Sequence, residues 1–505
     1  MPITRRSFLK TSALGFAVTA LSARSWAQVA GANSDVRVAV VGLNGRGKNH
    51  LGSLAKIPGV RIVAICDADL FVLERTASDL AKQEIKPEKF TDIRQLLAMD
   101  GLDAITIATP NHWHALAGIW GMQAGKDVYV EKPVSHNIWE GRQLVAAAKK
   151  YNRVAQAGTQ IRSGQGLIDA VAWVRGGNLG KITASRGFCY KRRDSIGKTK
   201  GPTPVPATIN YDLWSGPAPI IEPHRNSKKN GPVHYDWHWI YAYGNGDVGN
   251  QGIHQMDVAR WFLGEPGLPR HTLSVGGRLG YDDDGETPNT QTIIHDYATA
   301  PLIFEVRGLP AKPDGGPAAA TAAMNSAEAA GAATSTMDKY RGVSIGNVID
   351  CEGGSIIITN YFEATAVDPS GKVIKRFAGK DRLMENFVDV IRSRKTADLY
   401  GPIEEGHVSS ALCHVGNISH QIGQAASPEK IAEAVKADAP LAEAHGRMLE
   451  HLAINGVDLK KTRLTLGTPL AIDAKAERFT GDSARAANKL LTRNYRAPFV
   501  VPQLA

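Results

Sequence analysis

The stretch Val128-Tyr129-Val130-Glu131-Lys132-Pro133 reads as a buried strand that ends in a charged turn. A lysine held next to another positive charge loses affinity for its proton. Its neutral amine can then take the proton of a hydroxyl while hydride leaves the same carbon. Lys132 is therefore the residue expected to carry chemistry, with Pro133 fixing the turn behind it. Glu131 is placed to bond a ribose or to orient the lysine.

A glycine-rich loop, Gly42-Leu43-Asn44-Gly45-Arg46-Gly47, lies upstream between a predicted strand and a predicted helix. Such a loop gives a tight turn, a close approach to a pyrophosphate and a helix N-terminus facing the anion. Asn44 stands at the middle glycine position; asparagine tolerates left-handed backbone, and Gly45 is placed to share the role. Asp67 closes the second strand, where an acid is expected to bind the ribose 2′-hydroxyl. Its charge repels a 2′-phosphate, so NAD is favoured over NADP. Thr109-Pro110-Asn111 opens a loop at the carboxyl edge of the sheet, where ligands bind in such folds. His114 follows it, and no carboxylate or cysteine turns His112 and His114 into a metal set.

A second constellation runs from Gly244 to Asp257. Its glycines lead into a helix on which Asn250, His254 and Asp257 are expected to share one face. A histidine there can exchange protons near neutrality. Upstream, Trp237, His238 and Tyr241 offer flat rings beside hydrogen-bonding groups, which suits a pyranose. Arg162 and Lys191 are further candidates for substrate contact.

The elements that must position these residues change character along the chain. Residues 36–157 alternate apolar runs (Val36–Val41, Val60–Cys66, Ala104–Ala108, Val128–Val130, Val154–Ala157) with helical patterns. Unbroken apolar strands imply burial on both faces, hence a parallel, doubly wound Rossmann sheet. Residues 158–427 carry strand patterns with few intervening helices. These predict an α/β domain with an open, mostly antiparallel sheet, one face of which is exposed or covered by a partner. Residues 308–336, rich in Ala, Gly and Pro, read as a low-complexity insertion. Residues 428–505 read as an extension with a helix near Pro440–Asn455 and an apolar tail that docks on the body.

The N-terminus reads as an export signal. Thr4-Arg5-Arg6-Ser7-Phe8-Leu9-Lys10 is a twin-arginine motif, the apolar run Ala13 to Leu21 is too short for a membrane span, and Ser25-Trp26-Ala27 offers a cleavage site. Periplasmic placement through the twin-arginine export machinery follows as an expectation. The formal charge of +10 includes four cations in that segment, Arg5, Arg6, Lys10 and Arg24. No basic run with interleaved aromatics points to nucleic acid. Cys66, Cys189, Cys351 and Cys413 follow no zinc spacing and read as buried free thiols; Cys189 with Cys351 is the one pairing weighed.

With these residues in place, the chain resembles the glucose–fructose oxidoreductase / inositol dehydrogenase / MocA family (Gfo/Idh/MocA), from about residue 36 to about 425. The resemblance implies a Rossmann domain and a C-terminal α/β domain whose sheet commonly forms a homo-oligomer interface. It implies a catalytic lysine at Lys132 and a histidine at His254. The family's aspartate four residues before that histidine is Asn250 here, which cannot share charge with Lys132 or accept a proton. The expected activity is NAD(P)-dependent hydride transfer on a sugar, glycoside or polyol. A redox-neutral glycosidase or epimerase with tightly bound, internally recycled NAD is the alternative, and a non-catalytic sugar-binding protein is a third reading.

Overall fold

The buried β-branched runs of the first half form six parallel strands: β1 (Val36–Val41), β2 (Val60–Cys66), β3 (Glu88–Phe90), β4 (Ala104–Ile107), β5 (Asp127–Glu131) and β6 (Ala155–Gly158). Their order, β3-β2-β1-β4-β5-β6, makes a doubly wound sheet whose direction of winding reverses between β1 and β4. This computed structural model describes residues 35–225, 233–310 and 337–505. The twin-arginine segment and most of the low-complexity insertion lie outside the described residues.

Helices cover both faces of this sheet. On one face Ile105, Ile107, Val128 and Val130 pack against Leu116 and Ile119 of helix Asn111–Gln123 and Leu144 of helix Ile138–Tyr151. On the other face Val38, Val40 and Tyr129 meet Leu383 and Phe387 of helix Leu383–Ser393. That last helix, read from sequence as part of the second domain, completes the core of the first.

The second sheet has twelve strands: β7 (Ile182–Tyr190), β8 (His271–Gly277), β9 (Thr290–Asp296), β10 (Leu302–Arg307), β11 (Ile345–Cys351), β12 (Gly354–Ile358), β13 (Glu363–Val367), β14 (Val373–Ala378), β15 (Gln424–Ala426), β16 (Leu464–Leu466), β17 (Leu470–Asp473) and β18 (Arg478–Thr480). Among the described residues only the β7–β10 pair is parallel, so the sheet is mixed and mostly antiparallel. Its inner face (Cys189, Ile293, Phe304) packs on helices Ile253–Leu263 and Ile403–Gln421.

The outer face was expected to be exposed or covered by a partner. It is instead covered in its middle by the chain itself. Val275, Ile294, Ile303 and Ala184 pack against Ile431, Leu441, Ala444 and Met448 of helices Pro428–Val435 and Ala439–Ile454. These two helices sit between β15 and β16, which pair with each other, so they form a lobe on a two-strand stem. All four cysteines are buried and free, so Cys189 and Cys351 do not pair.

Helix Ile403–Gln421 ties the two sheets together. At Gly406 a β-carbon would stand 2.3 Å from that of Ala157, so only glycine permits this approach. Ser410 Oγ of the same helix accepts the Val134 amide at 3.0 Å and thereby braces the turn that carries Lys132. In the C-terminal tail Phe499 packs edge-on to Trp113, with ring centres 5.5 Å apart.

Candidate active site

The winding reversal between β1 and β4 opens into a cleft of about 1020 Å³ lined from both domains. Gly42, at φ +84, forms its floor; a β-carbon there would lie 2.7 Å from the backbone of Ala108 and Thr109. A β-carbon on Gly47 would lie 1.9 Å from the Gly42 carbonyl oxygen, so Gly47 sets the close packing of helix on strand rather than lining the cleft. Gly45 faces open space. Asp67 accepts the Leu43 amide at 2.8 Å and the Asp69 amide at 3.0 Å, which fixes the acid against the glycine loop. Burial pushes its pKa up against those two amide bonds. Asn44, Arg46, Thr109 and Asn111 also line the cleft. The glycine cradle and the acid at the next strand end together fit a dinucleotide.

Two residues near the cofactor loops serve the architecture. His114 bonds the Pro133 carbonyl at 2.6 Å and the Thr109 carbonyl at 2.7 Å, stapling two strand ends together. Glu131 is engaged through Oε1, which accepts from Arg46 at 2.8 Å and from Gln160 at 3.0 Å and meets His50 at 3.1 Å. Burial opposes its charge, but Arg46 and His50 hold its carboxyl well below the usual carboxylate range. Oε2 takes only the Lys132 amide, at 3.2 Å, so the carboxylate orients that turn while still lining the cleft where the ribose bond is expected.

Lys132 enters the same cleft and donates to the Asn250 carbonyl oxygen at 2.5 Å. Burial, reinforced by the charges of Arg46 and Arg193, lowers its pKa against the pull of Glu131. The Asn250 carbonyl is available because residues Val248–Gly252 form a wide π-turn before helix Ile253–Leu263. Such a turn breaks the ordinary helical ladder and recurs at functional sites.

Asn250 and His254 both line the cleft; Asp257 does not. It faces the opposite way, taking Arg162 Nε at 2.8 Å and Ser409 Oγ at 2.5 Å. Arg162 also bonds Glu405 at 3.0 Å. The pair ties three helical segments together beneath the site, which replaces the substrate contacts expected of Arg162 and Asp257. Asn250 and His254 share the cleft across the π-turn, whereas Asp257, one turn further along the regular helix, is drawn to Arg162 and Ser409, so the expected common face holds for two of the three.

His254 is buried, its Nδ1 has no hydrogen-bond partner, and its ring lies 5.1 Å from that of Tyr361. Burial and the Lys132 charge push its pKa down to about 3. It is therefore neutral at neutral pH, a hydrogen-bonding imidazole rather than the near-neutral proton exchanger its type implied.

On the second-domain side, Trp237 and His238 stack with ring centres 3.7 Å apart and line the cleft. His238 is pushed down to about 3 by burial and is also neutral. Tyr241, expected beside them, lies outside the cleft lining; its amide bonds Glu286 at 2.6 Å. Lys191 lines the cleft as expected. Sequence reading missed Arg193, Tyr235, Gln251 and Tyr361. Arg193 clamps Asp247 through two bonds, at 2.7 and 2.5 Å, and bonds Tyr235 Oη at 2.8 Å. Tyr235 holds φ +61, a costly backbone state for an aromatic residue that is commonly kept where function needs it. The basic run Lys191-Arg192-Arg193 at the end of β7 was the one visible signal; Tyr361 had none.

A segment of the second domain also crosses the first. Leu70 donates its amide to the Thr208 carbonyl at 2.9 Å, and Asn210 donates to the Ala68 carbonyl at 3.0 Å. His234 meets Asp69 at 2.9 Å. These contacts seal the loop after β2, beside Asp67.

Fold and site together define an enzyme of two domains, the first an NAD-binding Rossmann domain. Residues 36–159 match the model of the oxidoreductase family with an NAD-binding Rossmann fold, and residues 167–283 match its C-terminal α/β domain. The chain belongs to the Gfo/Idh/MocA oxidoreductase family.

Among curated relatives it is 31% identical over 204 residues to a glycosyl hydrolase family 109 protein of Shewanella pealeana, covering 36% of this chain and 45% of that one. It is 30% identical over 152 residues to an alpha-N-acetylgalactosaminidase of Shewanella oneidensis, covering 29% and 33%. These matches span a third to under half of the relatives' length. Among solved structures, an oxidoreductase from Thermotoga maritima superposes with a TM-score of 0.54 at 17% identity, over 77% of this chain and 98% of that one. The WlbA dehydrogenase of Bordetella pertussis, solved with NADH and UDP-GlcNAcA, gives 0.52 at 17%, over 76% and 97%. At such identities the likeness speaks for the fold.

Proposed function

We propose that this protein oxidises a hydroxyl of a saccharide with a retained NAD, using Lys132 as the base. The observation that carries this reading is the depressed Lys132 amine, held by a neutral carbonyl in the same cleft as the glycine cradle. When bound, the dinucleotide supplies a hydride acceptor. Lys132 takes the hydroxyl proton, neutral His254 bonds the reacting oxygen, and the Trp237–His238 stack offers a sugar face. NAD is favoured over NADP because Asp67 borders the glycine loop; Arg75, the nearby cation, is drawn to Asn44 at 2.7 Å.

A second outcome is favoured by the crossing segment at Thr208–Asn210 and by the His234–Asp69 pair, which hinder escape of a bound dinucleotide. A periplasmic address, read from the twin-arginine motif, adds a need to recycle the cofactor in place. Oxidation at C3 acidifies the C2 hydrogen; its loss expels the glycosidic oxygen, water adds, and hydride returns. The sum is hydrolysis without net oxidation, in keeping with the glycosidase names of the relatives.

The test uses the purified full chain, without added cofactor, on a panel of glycosides. Many turnovers per protein support retained NAD and hydride return; a strict need for added NAD removes that part. Lys132→Met is expected to cut kcat by about 10²–10⁴-fold, the usual worth of a general base, while nucleotide stays bound. Unchanged kcat would refute the site.

A further inference from the structure

Three cations gather on the sugar side of the cleft: Lys132, Lys191 and Arg193. Each feels the others, for Arg193 lowers the pKa of both lysines and Lys132 lowers that of Lys191. Only one is neutralised in place. Arg193 is clamped by Asp247 and held over the Trp239 ring at 5.1 Å. Lys132 meets a neutral carbonyl. Lys191 has no side-chain hydrogen bond or ion pair with any described residue.

Nearby acids do not balance this excess. Glu131 belongs to Arg46 and His50, Asp69 to His234, and Asp194 to Arg192. Asp236 acts on Arg225 and Tyr235. His238 and His254 are neutral, and Cys189 and Tyr235 are pushed towards their neutral forms by burial. Asn250 adds no charge where the family resemblance implies an aspartate. Burial, then Arg193 and Lys132, push Lys191 down to about 8 against the pull of Cys189 and of Asp247, whose carboxylate is itself clamped to Arg193.

We infer that the sugar this cleft accepts is acidic, carrying a carboxylate or a sulfate ester whose negative charge is received by Lys191. A single lysine is a point charge and accepts either group, unlike the fixed fork of arginine. Arg193 positions the site, because each of its three nitrogens already donates to Asp247 or Tyr235. A neutral pyranose would leave the Lys191 charge without an ion-pair partner in a partly desolvated cleft. An acidic one offsets the excess on binding, and opposite charge at a few ångströms is worth more there than in water. The inference rests on the saccharide reading above and narrows it to a substrate class.

The test separates the two ideas. Methyl glucuronides and galacturonides of both anomers, 6-sulfated methyl glucosides and galactosides, and the neutral methyl glycosides are compared on the full chain. Binding is read by fluorescence of the cleft tryptophans, and hydride transfer by absorbance of reduced nucleotide. At least one acidic class is expected to bind tenfold or more tightly than its neutral counterpart. Lys191→Met should bring that ratio near one through KM or Kd rather than kcat, and Lys191→Arg should restore most of it. Equal or tighter binding of neutral sugars, or an acid preference that survives Lys191→Met, overturns the inference. So does failure of every acidic sugar to bind. Binding of an acidic sugar with no hydride transfer from any sugar upholds the anion site and sinks the saccharide oxidation instead.

Discussion

At the scale of single residues, the chemistry rests on an amine whose proton affinity is set by its neighbours. Lys132 is depressed by burial and by Arg46 and Arg193, against the pull chiefly of Glu131. A base must be unprotonated to act, so the rate should rise with pH and level off below the range of a free lysine. Asn250→Asp places a carboxylate next to the carbonyl that holds Lys132. An opposite charge raises a lysine pKa, so the rising limb should move to higher pH by about one unit. A pH–rate profile of wild type and variant checks this, and a limb that stays put or moves down removes Lys132 as its source. Lys132 was legible because the Glu-Lys-Pro turn is local; the outward turn of Asp257 was not, since it depends on Arg162 and Ser409, 95 and 152 positions away in the chain.

Among the elements, the π-turn Val248–Gly252 deserves a direct challenge. Gly252 lies against Phe304, and a β-carbon there would come within 2.3 Å of that ring. Gly252→Ala should push the turn outward and withdraw the Asn250 carbonyl from Lys132. We expect kcat to fall at least tenfold, with a stability loss of about 1–3 kcal/mol typical of overpacking. Denaturant melts and kinetics on the same sample check both; full activity would mean that the turn does not position the lysine. Long apolar strands such as β1, β2 and β7 were readable from pattern. The three-residue β3, Glu88–Phe90, was not, because it is polar and its existence depends on pairing with β2. β14 escaped for a similar reason: four of its first five residues are exposed, and only Phe377 is buried.

For the whole molecule, the lobe of helices Pro428–Val435 and Ala439–Ile454 decides what the large sheet shows to its surroundings. Because β15 and β16 pair, residues 427–463 can be replaced by an Asn-Gly turn without breaking the stem. That excision bares Val275, Ile294 and Ile303. The shortened protein should self-associate or aggregate more than the full chain, as read by sedimentation velocity on both. An unchanged sedimentation coefficient per mass would show that the lobe is not a needed cover. The extension was visible in the sequence as an apolar helix, but its docking place was not, because an amphipathic stripe does not name its partner.

The seam where Thr208–Asn210 lies across Ala68–Leu70 has a consequence for manufacture. On the retained-cofactor reading proposed above, a protein laced beside its nucleotide would be loaded before the lacing is finished. On the export reading, synthesis, loading and folding would then belong to the compartment that makes nucleotides, and a finished cartridge rather than an empty holder would travel onward.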